Sequence, residues 1–209
     1  MSERTTMNKK RQFQPTVRGL EDRLALSHAG AVMHGPQPAV HVAAVSREAA
    51  RFEVDFLKGM IPHHQMAISM SQIALRNSDN PEVRGLARRI IGEQRPEVAE
   101  MKTMLSVWCG VRGYRPGMSP DDMKMLQDLR GLHGTAFDQA YLTDMIDHHR
   151  RAIGGDGMIM TGAQDVLARG VHPRLLKLAG NIVRTQTAEI REMTMILGTG
   201  TTSMPLMQG

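Results

Sequence analysis

The chain has 209 residues, 41% of them hydrophobic and 22% charged, with a net charge of +5, which is enough material for one or two domains with a well-buried core. The positive surplus sits in short clusters such as Lys9-Lys10-Arg11. None has the interleaved aromatics of a single-strand nucleic-acid groove, so nucleic acid is not an expected partner. One cysteine, Cys109, excludes an intrachain disulfide and any CxxC motif. Aromatic residues make up only 3% of the chain, whereas methionines number 18. Methionine packs irregular cores adaptably, and its thioether is also a soft ligand for Cu(I).

Residues 1–45 read as a flexible N-terminal arm, of mixed charge and with no sustained hydrophobic period. The arm carries His28, Met33, His34 and His41, whose loose spacing suits a linker or an accessory metal-catching segment. Residues 1–14 are polar and basic, without the apolar run of a signal peptide. No later window reaches the apolar length of a membrane span. The expectation is therefore a cytoplasmic chain with no membrane partner.

Ser46 reads as the N-cap of a long helix that reaches about Asn77. Phe52, Phe56, Met60, the pair His63-His64, Ala67, Met70 and Ala74 recur along it at three- and four-residue steps, which marks one helical face. Pro62 lies inside and is expected to kink or loosen it, because proline removes a backbone donor. Asn77 to Pro81 forms a turn and a cap, and a second helix follows from Pro81 to about Trp108. Ser119-Pro120-Asp121-Asp122 opens a short helix that ends near Leu129. A third long helix starts near Thr135, is interrupted at Gly154-Gly155-Asp156-Gly157, and resumes through Met158, Met160 and Leu167. His172-Pro173 opens a fourth, to about Leu197, and residues 199–209 read as a frayed tail.

Two of these helices repeat the other two. Phe56-Leu57-x-x-Met60-Ile61-x-His63-His64-x-x-Ala67-Ile68 returns as Tyr141-Leu142-x-x-Met145-Ile146-x-His148-His149-x-x-Ala152-Ile153, 85 positions later (148 − 63). Ile90-x-x-x-Gln94-x-x-Glu97-Val98-x-x-Met101 returns as Ile182-x-x-x-Gln186-x-x-Glu189-Ile190-x-x-Met193, 92 positions later (186 − 94). The second repeat thus holds seven more residues, for which the glycine-rich interruption is the natural place. Each repeat is a helical hairpin, and two hairpins give an all-α four-helix bundle over residues 46–198, with repeat one at 46–110 and repeat two at 119–198.

Antiparallel register sets Gln94, Glu97 and Met101 against His63, His64 and Met60, and Gln186, Glu189 and Met193 against His148, His149 and Met145. Adjacent helical side chains diverge by about 100°, so one histidine of each pair can face the axis while its neighbour reaches the next helix. Met66 and Met70 follow the first pair by one and two turns. Asp144, four residues before His148, can support its second ring nitrogen, as metal-bound imidazoles usually require. Imidazole with thioether is a donor set for copper, most naturally Cu(I).

Three rival readings stand beside copper. A di-iron site needs Glu-x-x-His on two helices, and no Glu here has a His three positions on. A haem held by His and Met would be non-covalent, and repeated pairs suit one haem poorly. A bundle without metal could use its polar pairs only to fix register. No nucleophile has a triad context, so an enzyme is not expected.

The duplicated His-His motif, with the Gln-x-x-Glu pattern that follows it, resembles the bacterial family called domain of unknown function 305, which includes CopM-type copper-binding proteins. The resemblance covers roughly residues 50–198. It implies a ferritin-like bundle and a role in copper binding, buffering or tolerance, with transfer to a protein partner or self-association as further possibilities. Position by position, His63, His64, His148, His149, Met60 and Met145 match the first motif, and Gln94, Glu97, Met101, Gln186, Glu189 and Met193 the second. Gly155 stands where Met70 stands in repeat one, with Met158 and Met160 as candidate substitutes. Many relatives are exported, which makes a periplasmic or secreted location the alternative to the cytoplasm.

Overall fold

The computed structural model of the chain describes residues 39–155, 161–170 and 172–200, with side-chain surroundings from residue 47 onward. The chain divides into two units, Met1–Ser46 and Arg47–Gly209. The first lies outside the described residues except for the helical stretch that begins at Ala39, and so does the expected arm with His28, Met33 and His34. All regular structure among the described residues is helical: α1 (Ala39–Asn77), α2 (Pro81–Trp108), α3 (Pro120–Gly131), α4 (Gly134–Gly154), α5 (Ala163–Arg169) and α6 (Pro173–Gly200). None is long and apolar enough to cross a membrane.

Local chemistry sets most of these ends. Asn80 caps α2 by accepting from the Glu82 N–H, with Pro81 at the first helical position. Ser119 and Asp122 form a reciprocal capping box at the start of α3. At the end of α2, Gly110 takes a φ of 67°, and the Val111 N–H then reaches back to the Leu105 carbonyl at 3.0 Å. That left-handed step is open to glycine at little steric cost.

One expectation is corrected. Ser46 does not begin a helix, because α1 already starts at Ala39. The preceding residues, Ala39-Val40-His41-Val42-Ala43-Ala44-Val45, contain neither glycine nor proline to stop it. Pro62 lies inside α1, which is helical on both sides of it. Its missing N–H would leave the Lys58 carbonyl without its helical donor. The hydroxyl of Tyr114, from the loop after α2, donates to that carbonyl at 2.9 Å.

Helices α1 and α2 form one hairpin across a short turn. Arg84 clamps that turn by donating to the Leu75 and Ser78 carbonyls at 2.6 and 3.1 Å. Helices α4 and α6 form the other hairpin, and the extra residues of repeat two supply a separate short helix, α5, between them. Met158 and Met160 lie outside the described residues. α3 is tied to the tip of the first hairpin through Asn77, whose side-chain amide donates to the Leu132 carbonyl at 2.8 Å.

The apolar interior separates into two clusters. One gathers Met66, Met70, Ile73, Leu86 and Ile90 with Phe137, Tyr141, Met145 and Met193. The other gathers Phe56, Leu57, Met60 and Ile61 with Met101, Leu105, Leu175 and Ile182. The histidines and their polar partners occupy the level between them.

Candidate metal centre

The hairpins run in opposite senses, so the motifs of α1 and α4 meet in antiparallel fashion halfway along the bundle. His63 and His148 stack on each other across the two repeats, with ring centroids 3.5 Å apart and planes inclined by 30°. Their neighbours turn away toward the second helix of their own hairpin, as the helical geometry of adjacent residues requires. His64 lies 6.3 Å from His63, and His149 lies 6.2 Å from His148. Nε2 of His64 is 2.9 Å from Oε2 of Glu97, and Nε2 of His149 is 2.8 Å from Oε2 of Glu189. The two repeats thus build the same carboxylate–imidazole pair twice.

This level is buried and under-bonded. His64, His148, His149, Gln94, Gln186 and Glu189 are all buried. Both ring nitrogens of His63, Nδ1 of His64, His148 and His149, and both side-chain amide atoms of Gln94 and Gln186 have no hydrogen-bond partner. Most buried polar groups in folded proteins are paired, and each exception costs on the order of 1–3 kcal/mol. An under-bonded polar layer duplicated by the repeat calls for a ligand more readily than a single orphan would.

Burial holds both inner imidazoles well below the ordinary histidine range. For His63 the next causes are the neighbouring His64, His149 and Arg151, and for His148 they are His63, His149 and Arg151. Both rings are therefore neutral at neutral pH, the state in which an imidazole nitrogen can donate its lone pair to a metal.

Methionines belong to the apolar clusters on both sides of the layer. Met60 and Met101, both fully buried, belong to the cluster on one side, and Met145 and Met193, equally buried, to the cluster on the other. Met66 and Met70 also lie in the latter, with Met70 in the same apolar cluster as Ile73 and Leu86. Asp144 stands elsewhere. It lines an open depression of about 310 Å³ with Asp121, Lys124 and Asp128, and partial burial, then the charge of Asp147, pushes its carboxyl up. The carboxylates that hold imidazoles are Glu97 and Glu189.

One neighbour was not legible as part of the site. The Glu93 carboxyl is pushed up by partial burial and then by the charges of Glu189 and Glu97, so it lies within electrostatic reach of both carboxylates that face the imidazoles. Thr185 occupies the corresponding position in repeat two, so repetition gives no signal for it. Among the described residues, no three His, Cys, Asp or Glu side chains surround a common point at which an ion could sit. The donor chemistry nevertheless fits a soft ion: neutral imidazoles with free nitrogens, flanked by thioethers, with carboxylates already engaged by the rings.

The chain matches the family model described as Domain of unknown function (DUF305) over residues 5–105 and 53–197, and it belongs to that family. It is similar in structure to CopM in its Cu(I)-bound form, with a TM-score of 0.60 and 31% identity over 70% of this chain and 96% of that one. CopM structures in the Cu(II)-bound, silver-bound and apo forms match as well. A DUF305 fragment from Deinococcus radiodurans matches with a TM-score of 0.59 and 29% identity, over 70% and 95% of the two chains. An uncharacterized protein of Acanthamoeba polyphaga mimivirus is 39% identical over 64 residues, 31% of this chain, and the chain spans 42% of that curated relative's length.

Proposed function

We propose that this DUF305 protein binds copper, with Cu(I) favoured, in the polar layer between its two hairpins, and acts as a copper buffer, carrier or tolerance factor rather than as an enzyme. The observation that carries the reading is the set of buried imidazole nitrogens left without partners and flanked by buried methionines. His63, His64, His148 and His149 would supply nitrogen donors, and Met60, Met101, Met145 and Met193, which both repeats place in the buried clusters on either side of the layer, the thioethers. Such a set favours a soft monovalent ion over a hard divalent one. The copper- and silver-bound states of CopM, a structural neighbour in the same fold, support the choice of ion.

Titration of the apoprotein with Cu(I) against a chromophoric competitor tests it. Competition at micromolar protein is expected, together with its loss when all four histidines are changed to alanine. No competition from the unaltered protein removes the copper reading. A bundle that binds no metal is the second reading, favoured by the absence of any three-ligand arrangement among the described residues. It predicts thermal stability indifferent to Cu(I), whereas a ligand that binds only the native state raises it.

A further inference from the structure

We propose that Glu97 and Glu189 are positioning residues that fix the tautomer of His64 and His149, so that Nδ1 is the donor atom each of these histidines offers to the ion. The inference rests on the copper reading above and specifies it at the level of single atoms.

A carboxylate only accepts hydrogen bonds, so the ring nitrogen that faces it must carry the hydrogen. In both repeats that nitrogen is Nε2, at 2.9 Å from Glu97 and 2.8 Å from Glu189. In both repeats the opposite nitrogen, Nδ1, is buried and without a partner. A hydrogen on Nδ1 would be a buried donor facing nothing, which is costly, whereas a lone pair there is the form a metal uses. The carboxylate therefore decides which edge of the imidazole is electron-rich, and its negative charge makes that edge a better donor.

The inner pair has no such device. Neither nitrogen of His63 has a carboxylate partner, and its ring stacks on that of His148. Among the described residues, the four histidines thus divide into two with a carboxylate partner, His64 and His149, and two without one, His63 and His148. The duplication supports the assignment, because the repeated motifs on α2 and α6 produce the same atom pairing at two separate places.

The test uses the full chain labelled with ¹⁵N-histidine, with tautomers read from two-bond nitrogen–proton correlations on the metal-free protein at mildly alkaline pH. His64 and His149 are expected as Nε2–H tautomers. A Glu97→Ala, Glu189→Ala pair is expected to lose that fixed state and to bind Cu(I) roughly 10–100-fold more weakly. Glu97→Gln, Glu189→Gln, which keeps an acceptor of the same shape, is expected to retain the tautomer and recover part of the affinity. Nδ1–H at either histidine of the unaltered protein, or unchanged Cu(I) affinity in the alanine pair, overturns the proposal. Protein that shows both Nε2–H tautomers yet takes no Cu(I) overturns the copper reading and with it the donor role of Nδ1.

Discussion

Gln94 and Gln186 offer the sharpest measure of what the polar layer costs the metal-free protein. They are 3% and 2% exposed, and neither the amide oxygen nor the amide nitrogen of either has a partner. A buried polar group without a hydrogen bond costs about 1–3 kcal/mol. Methionine has nearly the same length and volume and asks for no partner, so Gln94→Met and Gln186→Met should each return a similar amount to the apoprotein. Against a total stability of about 5–15 kcal/mol that is easily seen. For a domain of this size each 1 kcal/mol moves the melting temperature by about 2–4 °C, so a rise on the order of 5 °C per substitution is expected. The two share a layer, and their effects need not add. Urea and thermal unfolding of the metal-free proteins provide the assay, with Cu(I) titrations alongside. A fall in apoprotein stability refutes the reasoning, because it would mean that internal water or an altered rotamer already satisfies the amides.

Four further outcomes follow from the geometry. Tyr114→Phe should cost about 0.5–1.5 kcal/mol in urea unfolding, and most of that loss should vanish in a Pro62→Ala background, where residue 62 regains an N–H for the Lys58 carbonyl. Burial depresses His63 and His148 in the folded state, so the unfolded chain takes up their protons first. Stability should be full above an ordinary histidine pKa of about 6.5 and decline as pH falls below it; a flat urea midpoint from pH 7.5 to 5.5 would contradict this. At Gly162 an added Cβ would lie 2.2 Å from the Gly155 nitrogen and 2.4 Å from the Gly154 carbonyl carbon, so Gly162→Ala should destabilise by at least about 1–3 kcal/mol. Gly92→Ala, in the middle of α2 with nothing within 4 Å of its Cβ, should instead stabilise by about 0.5–1 kcal/mol.

The repeat made the architecture readable. A motif and its partner helix that recur together define a hairpin, and the interval between them fixes the register. That is why the pairing of His64 with Glu97, and of His149 with Glu189, follows from antiparallel arithmetic. Local capping made the ends of α2 and α3 equally plain through Asn80 and Ser119. What could not be read depends on contacts between the repeats or on distant loops. The stack of His63 on His148 joins residues 85 apart (148 − 63), and no spacing rule chooses between a stacked pair and a separated one. Tyr114 gave no sign that it would complete the backbone around Pro62. Asp144 had the right sequence separation from His148, but it lines the depression beside α3 instead.

The polar level that parts the two apolar clusters also bears on how the molecule breathes. Four helices cross a plane at which dispersion and hydrophobic cohesion are interrupted, so that plane is a mechanical seam. Sub-global opening should start there and propagate toward the two ends, which would exchange their amides as separate blocks. A guest drawing donors from both sides of the seam would act as a weld, and the blocks would then exchange as one.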